Sequence, residues 1–221
     1  MADVADIELH DEIVEWMSSL DDSGWNRTVV AIDRIAELGS TARMPFSRAL
    51  GDGLFELRFS LGSTARRITD RFTTDNRIIP LTTFPKQRNN ERSEIARAHE
   101  NAEECARLNP WEHRDMANYS RWDDIKKQRP GPTDDERAAI EQDFALGELI
   151  YELRTTAGLS QRQLAERMGT TQSVISRLEE GGGGRPRLDT LARVATALDR
   201  HLVVSFPDEV PERLKNAIQV T

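Results

Sequence analysis

The sequence contains little cysteine and no long apolar run. Cys105 is the only cysteine among 221 residues, which excludes an intramolecular disulfide and favours a reducing compartment such as the cytoplasm. No stretch approaches the roughly 18 consecutive apolar residues that a membrane-spanning helix needs. The first residues, MADVADIELHDE, are acidic and polar, unlike a secretion signal. We therefore expect a cytoplasmic protein that makes no membrane contact.

Groups of residues that hold metals or phosphates are also lacking. The four histidines are scattered and show no metal-ligand spacing: His10, His99, His113 and His201. The glycine run at 181–184 follows a predicted helix, whereas phosphate-binding glycine loops precede one. No combination of serine, histidine and acid stands out. The sequence thus predicts neither a metal nor an organic cofactor.

The charges that are present are unevenly distributed. The net charge is −8, with 38% hydrophobic and 31% charged residues, which is typical of a globular protein. Residues 1–42 hold ten acids and two bases, whereas residues 43–97 hold eleven bases and six acids. Residues 154–200 hold eight arginines and five acids. This pattern predicts two nucleic-acid surfaces, or one such surface and an internal interface between charge-matched segments.

The first part of the chain, residues 1–109, is predicted to be a small α+β domain. It is predicted to begin with a very short strand and two helices, over 7–20 and 25–38. Three antiparallel strands with turns at 62–63 and 75–76 follow, and a helix over 91–107 closes the domain. The strands are indicated by alternation of apolar and polar residues, as in LFELRFSL.

A polar linker and an all-α domain are predicted to follow. Residues 110–137 contain three prolines and lack apolar periodicity, so we interpret them as a linker. The domain at 138–221 is predicted to contain helices over 138–156, 161–169, 172–180 and 188–198, and a short strand over 201–206 that could pair across a two-fold axis or within the chain.

The segment LSQRQLAERMGTTQSVISRLEEG has the pattern of a helix-turn-helix. Ala165 is small where two helices would cross, and Gly169 lies where the turn needs a positive φ. Six polar residues are expected to meet DNA, Gln161 at a phosphate and the others on one side of the second helix: Gln161, Thr171, Gln172, Ser173, Ser176 and Arg177. The segment resembles the helix-turn-helix of phage repressors, which implies operator DNA as a partner and a homodimer. The alternative is a bundle helix with a solvated polar face.

The basic strands carry a second candidate site. Strand alternation places Arg67 and Arg71 on one face, Arg58 belongs to the polar face of the preceding strand, and Lys86 and Arg88 follow the last strand. RNA cleavage by the 2′-hydroxyl needs in-line positioning, neutralised phosphate charge and a proton for the leaving oxygen. Arginines and a lysine of lowered pKa can provide these. The alternative is a solvated face, or one that docks the acidic helices and linker.

Residues 7–107 resemble the HigB/RelE superfamily of toxins. The matching segments are MPFSRALGDGLFELRF, the ARRI strand and TTFPKQRNNERSEIARA. Residues 117–206 similarly resemble HigA antitoxins, and toxin before antitoxin is the usual order of such pairs. The resemblance implies a metal-free, ribosome-dependent messenger-RNA endonuclease joined to an antitoxin that represses its own operon. It also implies catalytic roles for Arg58, Arg67 and Lys86, and RNA binding by Arg66, Arg71 and Arg88.

Two departures from the family pattern predict a weakened nuclease. Asp70 stands where the family usually has an aromatic residue, and a carboxylate there is costly to bury and would repel RNA. Pro85 replaces a residue that tends to be basic. Residues 120–134, with Trp122 and Ile125 as anchors, are expected to lie across the basic sheet and mask it.

Two other interpretations stay open at this stage. The chain could be a transcriptional repressor whose N-terminal domain is catalytically inert and serves only for sensing or oligomerisation. It could also be an engineered linkage of two natural proteins, because the segment starting at Met116 resembles the beginning of a separate polypeptide.

Overall fold

The computed structural model of the protein describes residues 4–86, 91–108, 119–182, 184 and 186–206. The N-terminal elements are β1 (Asp6–His10), α1 (Asp11–Ser18), α2 (Asp22–Leu38), β2 (Ser47–Gly51), β3 (Leu54–Leu61), β4 (Thr64–Phe72), β5 (Arg77–Pro85) and α3 (Glu91–Leu108). They are followed by β6 (Tyr119–Arg121), α4 (Trp122–Gln128), α5 (Asp134–Thr156), α6 (Gln161–Arg167), α7 (Gln172–Glu179) and α8 (Leu188–Ala197). An α+β region with a mixed sheet is therefore followed by a helical helix-turn-helix region, as predicted.

The sheet has six strands in the order β2-β3-β4-β5-β1-β6. The predicted meander β3-β4-β5 is antiparallel, whereas β1 runs parallel to β5 and pairs on its other side with β6. Ile7 and Leu9 were expected mainly in a helix, but both are buried in β1, where they alternate with more exposed neighbours. The helix starts only at Asp11, capped by the side chain of His10.

The two faces of the sheet are covered differently. Leu57, Phe59 and Ile68 belong to the main apolar core, which α1 and α2 complete. Leu54 and Ile79 on the other face pack in a smaller core with α3. Beyond α3, that second face carries the polar residues of β3 and β4, so its exposure depends on what lies over them.

Helix α5 connects the two regions. Thr133 and Glu136 form a capping box at its start. Phe144, in its first half, is buried in the N-terminal core, and Ile150, in its second half, is buried in the helix-turn-helix core together with Leu164. A single helix therefore contributes to both cores and positions one region against the other.

The structure differs from the sequence prediction at two places after residue 110, in the linker and at residues 201–206. The predicted linker contains β6 and α4, whose Trp122 and Ile125 are buried in the N-terminal core. Residues 201–206, predicted to be a strand that pairs across a two-fold axis or within the chain, do not pair with any described strand of this single chain, and Phe206 is 95% exposed. No helix in the described ranges has the length and apolar character needed to cross a bilayer.

Candidate functional site

The polar end of the second sheet face brings two predicted catalytic arginines together. Arg58 of β3 is directly opposite Arg67 of β4, and alternation places Glu56 and Ser60 on the same face. Both arginines are buried, and Arg67 is 0% exposed. A pair of guanidinium groups without water requires anionic partners.

Glu180, which follows α7, supplies one of these partners. Arg67 donates to both carboxylate oxygens, from Nη2 to Oε1 at 2.7 Å and from Nη1 to Oε2 at 3.1 Å. Arg58 Nη2 lies 3.4 Å from Oε1, and the Ser60 hydroxyl lies 3.4 Å from Oε2. Glu180 is 1% exposed, so the contact is dry. Such a two-pronged pairing is the geometry in which arginine also binds phosphate.

Glu56 supplies the second anionic partner from within the sheet. Its Oε1 lies 3.4 Å from Nε of Arg58 and 3.5 Å from Nε of Arg67. Two cations and two anions therefore form a buried quartet of zero net charge. Burial and the neighbouring Arg67 lower the pKa of Arg58, and the two glutamates oppose this effect. Without Glu180, the two arginines would keep one carboxylate and one uncompensated positive charge.

Glycines allow α7 and the following loop to come this close. A Cβ on Gly182 would lie 2.1 Å from Cβ of Ser60, and one on Gly181 would lie 2.6 Å from the Phe144 ring. A Cβ on Gly147 of α5 would lie 2.5 Å from the carbonyl oxygen of Glu179. Gly181 and Gly182, part of a glycine run expected only to be a loop, thus allow the helix-turn-helix region to dock on the sheet.

The other predicted RNA-contacting residues do not join this cluster. Arg66 lies on the helix side, with its guanidinium carbon 4.9 Å from the Trp16 ring centre, and Arg71 donates to the carbonyl of Ala102 in α3. Lys86 is exposed and continues the register of β5 beside Ala65, with its N–H 2.8 Å from that carbonyl. Arg88 lies outside the described residues.

Asp70 does not face the arginine pair. It is 2% exposed, and strand alternation places it on the side of Ile68, away from Arg67. Burial raises the pKa of Asp70 to about 7, while a backbone hydrogen bond from Leu57 acts in the opposite direction. Asp70, which was expected to repel RNA, therefore lies on the face opposite the arginine pair. Pro85 ends β5 opposite Arg66.

The N-terminal end of α7 presents the predicted DNA-reading residues to solvent. Thr171, Gln172 and Ser173 are all exposed. Gln172 donates to Oε1 of Gln161 at 2.6 Å, and Gln161 donates to Oε2 of Glu179 at 2.7 Å. These hydrogen bonds fix the two glutamines beside each other at the entrance of a helix, where repressors of this fold meet base edges and phosphates.

Ser176 and Arg177, further along α7, lie differently from the expectation. Ser176 was predicted to contact DNA, but it is 4% exposed and donates to Oε1 of Glu180 at 2.9 Å. The assignment is wrong because this turn of the helix faces the sheet. Arg177 is half-buried, and its Nε lies 3.4 Å from the carbonyl of Ser173.

Glu179 anchors α7 within its own region. It is buried and forms an ion pair with Arg154 of α5, which also donates to the carbonyl of Leu159. The two adjacent glutamates thus have separate partners: Glu179 binds within the helix-turn-helix, whereas Glu180 binds the sheet.

The expected masking segment lies elsewhere. Trp122 donates to Asp33 of α2 at 2.7 Å, and α4 packs against β1 and β6 and not across the arginines. The end of α7 covers them instead.

Sequence reasoning missed the roles of Glu56, Glu180 and Gly182. For Glu180 a signal was present, because two consecutive acids at the C-terminal end of a helix oppose the helix dipole and require cations from elsewhere.

Fold and sites together define a protein of two parts, an α+β domain with a buried arginine pair and a helix-turn-helix DNA-binding domain docked on it. Residues 15–103 match the model of the phage-derived protein Gp49-like family, a family of RelE/HigB-type toxins, and residues 150–204 match the helix-turn-helix family model. Together the two matches fit a toxin–antitoxin fusion. Neither a curated protein nor a solved structure matches the chain significantly.

Proposed function

We propose that this protein is a toxin–antitoxin pair in one chain. Its N-terminal domain is a metal-free endonuclease that cleaves messenger RNA on the ribosome. Its helix-turn-helix domain neutralises that activity and represses transcription at its own operator. The proposal extends the HigB/HigA resemblance, and the contact of Glu180 with Arg67 and Arg58 carries it.

This contact supports neutralisation because it fills the place where an RNA phosphate would bind. A carboxylate and a phosphate present similar oxygen pairs to guanidinium, and Arg67 holds Glu180 in the two-pronged manner. While Glu180 is bound, RNA has no access to either arginine. Once it leaves, Arg58 and Arg67 are available to bind the scissile phosphate and stabilise the charge that develops on it.

Lys86 completes the proposed catalytic set. It lies on the same side of the sheet as Arg67 by register and remains exposed while the arginines are covered. As the 2′-oxygen bonds to phosphorus it gives up its proton to solvent, and the bond to the 5′-oxygen breaks. Lys86 would provide the proton that the 5′-oxygen takes up.

The exposed end of α7 supports the proposed DNA-binding function. Gln172 and Ser173 can reach base edges in a major groove, and Gln161 can orient the motif at a phosphate. A single helix of this kind covers only one half-site, so a homodimer on a two-fold symmetric operator is part of the proposal.

The experiment is a growth assay with the full chain carrying Glu180→Gln. The substitution keeps the shape of the side chain and removes the charge that holds the arginines. We expect stronger growth inhibition and ribosome-dependent RNA cleavage than with the unchanged chain. Glu166→Gln is the matched control, since Glu166 is 62% exposed in its side chain and pairs only with Arg162 in the described structure. Adding Arg67→Ala to Glu180→Gln should abolish both effects. An inactive Glu180→Gln chain, with folding intact, would contradict the nuclease.

The alternative is a repressor with a catalytically inert N-terminal domain. The specific observation in its favour is Glu56, which already pairs with both arginines from the same sheet. In this case Glu180→Gln changes stability and operator binding only, without any RNA cleavage.

A further inference from the structure

Neither family match covers the segment between the two domains. The matched regions end at residue 103 and resume at residue 150, yet residues 119–130 are well packed on the N-terminal domain. This segment consists of β6, α4 and the two residues that follow. We call it the anchor segment.

The anchor segment adds a strand to the sheet and two apolar side chains to its core. Ser120 and Tyr119 of β6 pair with Leu9 and His10 of β1, and the Tyr119 ring packs edge-on against that of His10 at 5.3 Å. Trp122, 4% exposed, packs in the core with Ile125 and Leu9.

Polar contacts fix the start of α4 to α2, and the two residues that follow α4 to α2 and to Leu20. At the start, Nε1 of Trp122 donates to Oδ1 of Asp33 at 2.7 Å. At the end, Trp25 donates from Nε1 to the carbonyl of Pro130 at 3.0 Å, and Arg129 donates to the carbonyl of Leu20 at 2.9 Å. The Arg129 guanidinium also lies over the Trp25 ring at 5.1 Å.

The contact through Glu180 differs in character from the anchor segment and from the packing of Phe144 and the ion pairs of α5 with α2. It consists of charges that an RNA phosphate could replace, whereas the anchor segment offers a strand, a tryptophan and directed backbone hydrogen bonds. Strand addition combined with a buried aromatic anchor is a common way in which proteins bind peptides. The edge of β1 together with α2 therefore has the properties of a peptide-binding surface that is occupied within this chain.

We propose that the anchor segment binds this surface independently of Glu180, and that it holds the helix-turn-helix domain to the toxin-like domain even when the chain is cut before Tyr119. Opening of the Glu180 contact then leaves the two parts attached, so RNA competes with a tethered carboxylate at high effective concentration. This inference extends the proposed neutralisation, but its readout is the association of fragments and needs no nuclease activity.

The test uses the full chain with a specific protease site at one of two positions. A cut between Asp115 and Met116 leaves the anchor segment on the C-terminal fragment. A cut between Gly131 and Pro132 leaves it on the N-terminal fragment. Both chains also carry Glu180→Gln, so that the ion pairs of Glu180 with Arg58 and Arg67 are absent, while the contacts of α5 with α2 are the same after either cut. We expect dissociation of the fragments to be about 100-fold slower after the first cut.

Two measurements make the test decisive. Trp122→Ala should speed dissociation after the first cut at least about tenfold, whereas Lys127→Ala, at a side chain 73% exposed, should have no effect. A synthetic peptide of residues 119–131 should displace the C-terminal fragment after the cut between Asp115 and Met116 in a chain that keeps Trp122. This measurement does not depend on the folding of a Trp122 variant. Equal dissociation after the two cuts, or no displacement by the peptide, would overturn the proposal. Association without RNA cleavage would instead count only against the nuclease.

Discussion

At the scale of single residues, the buried quartet links the stability of one domain to the docking of the other. Removing one member of a buried ion pair leaves an uncompensated charge, which typically costs about 3–5 kcal/mol. Glu180 is the only quartet member contributed by the helix-turn-helix region. Undocking of that region therefore leaves an uncompensated positive charge in the sheet and an unpaired carboxylate at the end of α7. Folding of the second domain on the first therefore stabilises both, and an anionic ligand for Arg58 and Arg67 weakens the link.

Gly182 offers a test of docking that does not alter any charge. In Gly182→Ala the new methyl group would lie 2.1 Å from Cβ of Ser60, so the loop must move away from the sheet. We expect RNA cleavage or growth inhibition to rise as with Glu180→Gln. We also expect the free energy of unfolding, measured in urea, to fall by about 1–3 kcal/mol. Gly131→Ala is the control, because no atom lies within 4 Å of its Cβ position. Identical behaviour of the two variants would disprove the role of Gly182 in docking.

Asp70 makes the stability of the protein depend on pH. Its pKa in the folded chain is about 7, against an ordinary value of 3.8. Between these values the unfolded chain loses a proton that the folded chain keeps, so the free energy of unfolding falls as the pH rises toward 7 and then levels off. Asp70→Asn removes this penalty.

We expect Asp70→Asn to stabilise the chain more at pH 8 than at pH 5, by about 2 kcal/mol or more. Urea unfolding at the two pH values measures this difference. Asp52→Asn, at an exposed position of a turn, serves as the control for a lost charge. An equal gain at both pH values would show that Asp70 has an ordinary pKa.

At the scale of elements, α7 has two ends with different tasks. Its first residues are exposed and its last turn faces the sheet, so we expect DNA and the toxin-like domain to bind different side chains of α7. We expect Gln172→Ala to weaken operator binding at least about tenfold without affecting neutralisation.

We expect Ser176→Ala to weaken neutralisation of the toxin-like domain without affecting operator binding. It removes the 2.9 Å hydrogen bond to Glu180 and leaves the exposed residues unchanged. Gel-shift titration with the operator and the growth assay together separate the two variants. Loss of operator binding in Ser176→Ala alone would return this residue to the DNA-reading face.

The elements that could be predicted from sequence are those with local periodicity. The meander, α2, α3 and the helix-turn-helix each repeat an apolar pattern over enough residues to define them. In contrast, β6 has three residues and obtains its stability from β1, more than 100 positions away in the chain. The Arg67–Glu180 pair joins residues 113 positions apart, and no local pattern encodes such a distance.

At the scale of the whole molecule, ion pairs connect the N-terminal region with α5 and with the end of α7. Arg27 and Arg34 of the acidic N-terminal segment pair with Asp143 and Glu148 of α5, at 3.1 and 2.8 Å. The basic strands in turn receive Glu180. These pairs use the minority charges of their segments, since Arg27 and Arg34 lie in the acidic segment 1–42 and Glu180 lies in the basic segment 154–200. Matching of whole acidic and basic segments therefore does not explain them.

From the packing of the anchor segment we predict that the toxin-like domain ends later than residue 109. A fragment of residues 1–115 lacks the anchor segment, so it exposes the Leu9 side of the core and leaves Nε1 of Trp25 without the Pro130 carbonyl. A fragment of residues 1–131 keeps both. We expect the shorter fragment to be less stable by at least the cost of emptying a tryptophan site, about 3–5 kcal/mol. Thermal unfolding followed by circular dichroism compares the two fragments directly. The longer fragment should also inhibit growth more strongly than the full chain, because it lacks Glu180 but keeps the anchor segment on the sheet. Equal stability of the two fragments would show that the domain ends before Tyr119, and that residues 119–130 only connect.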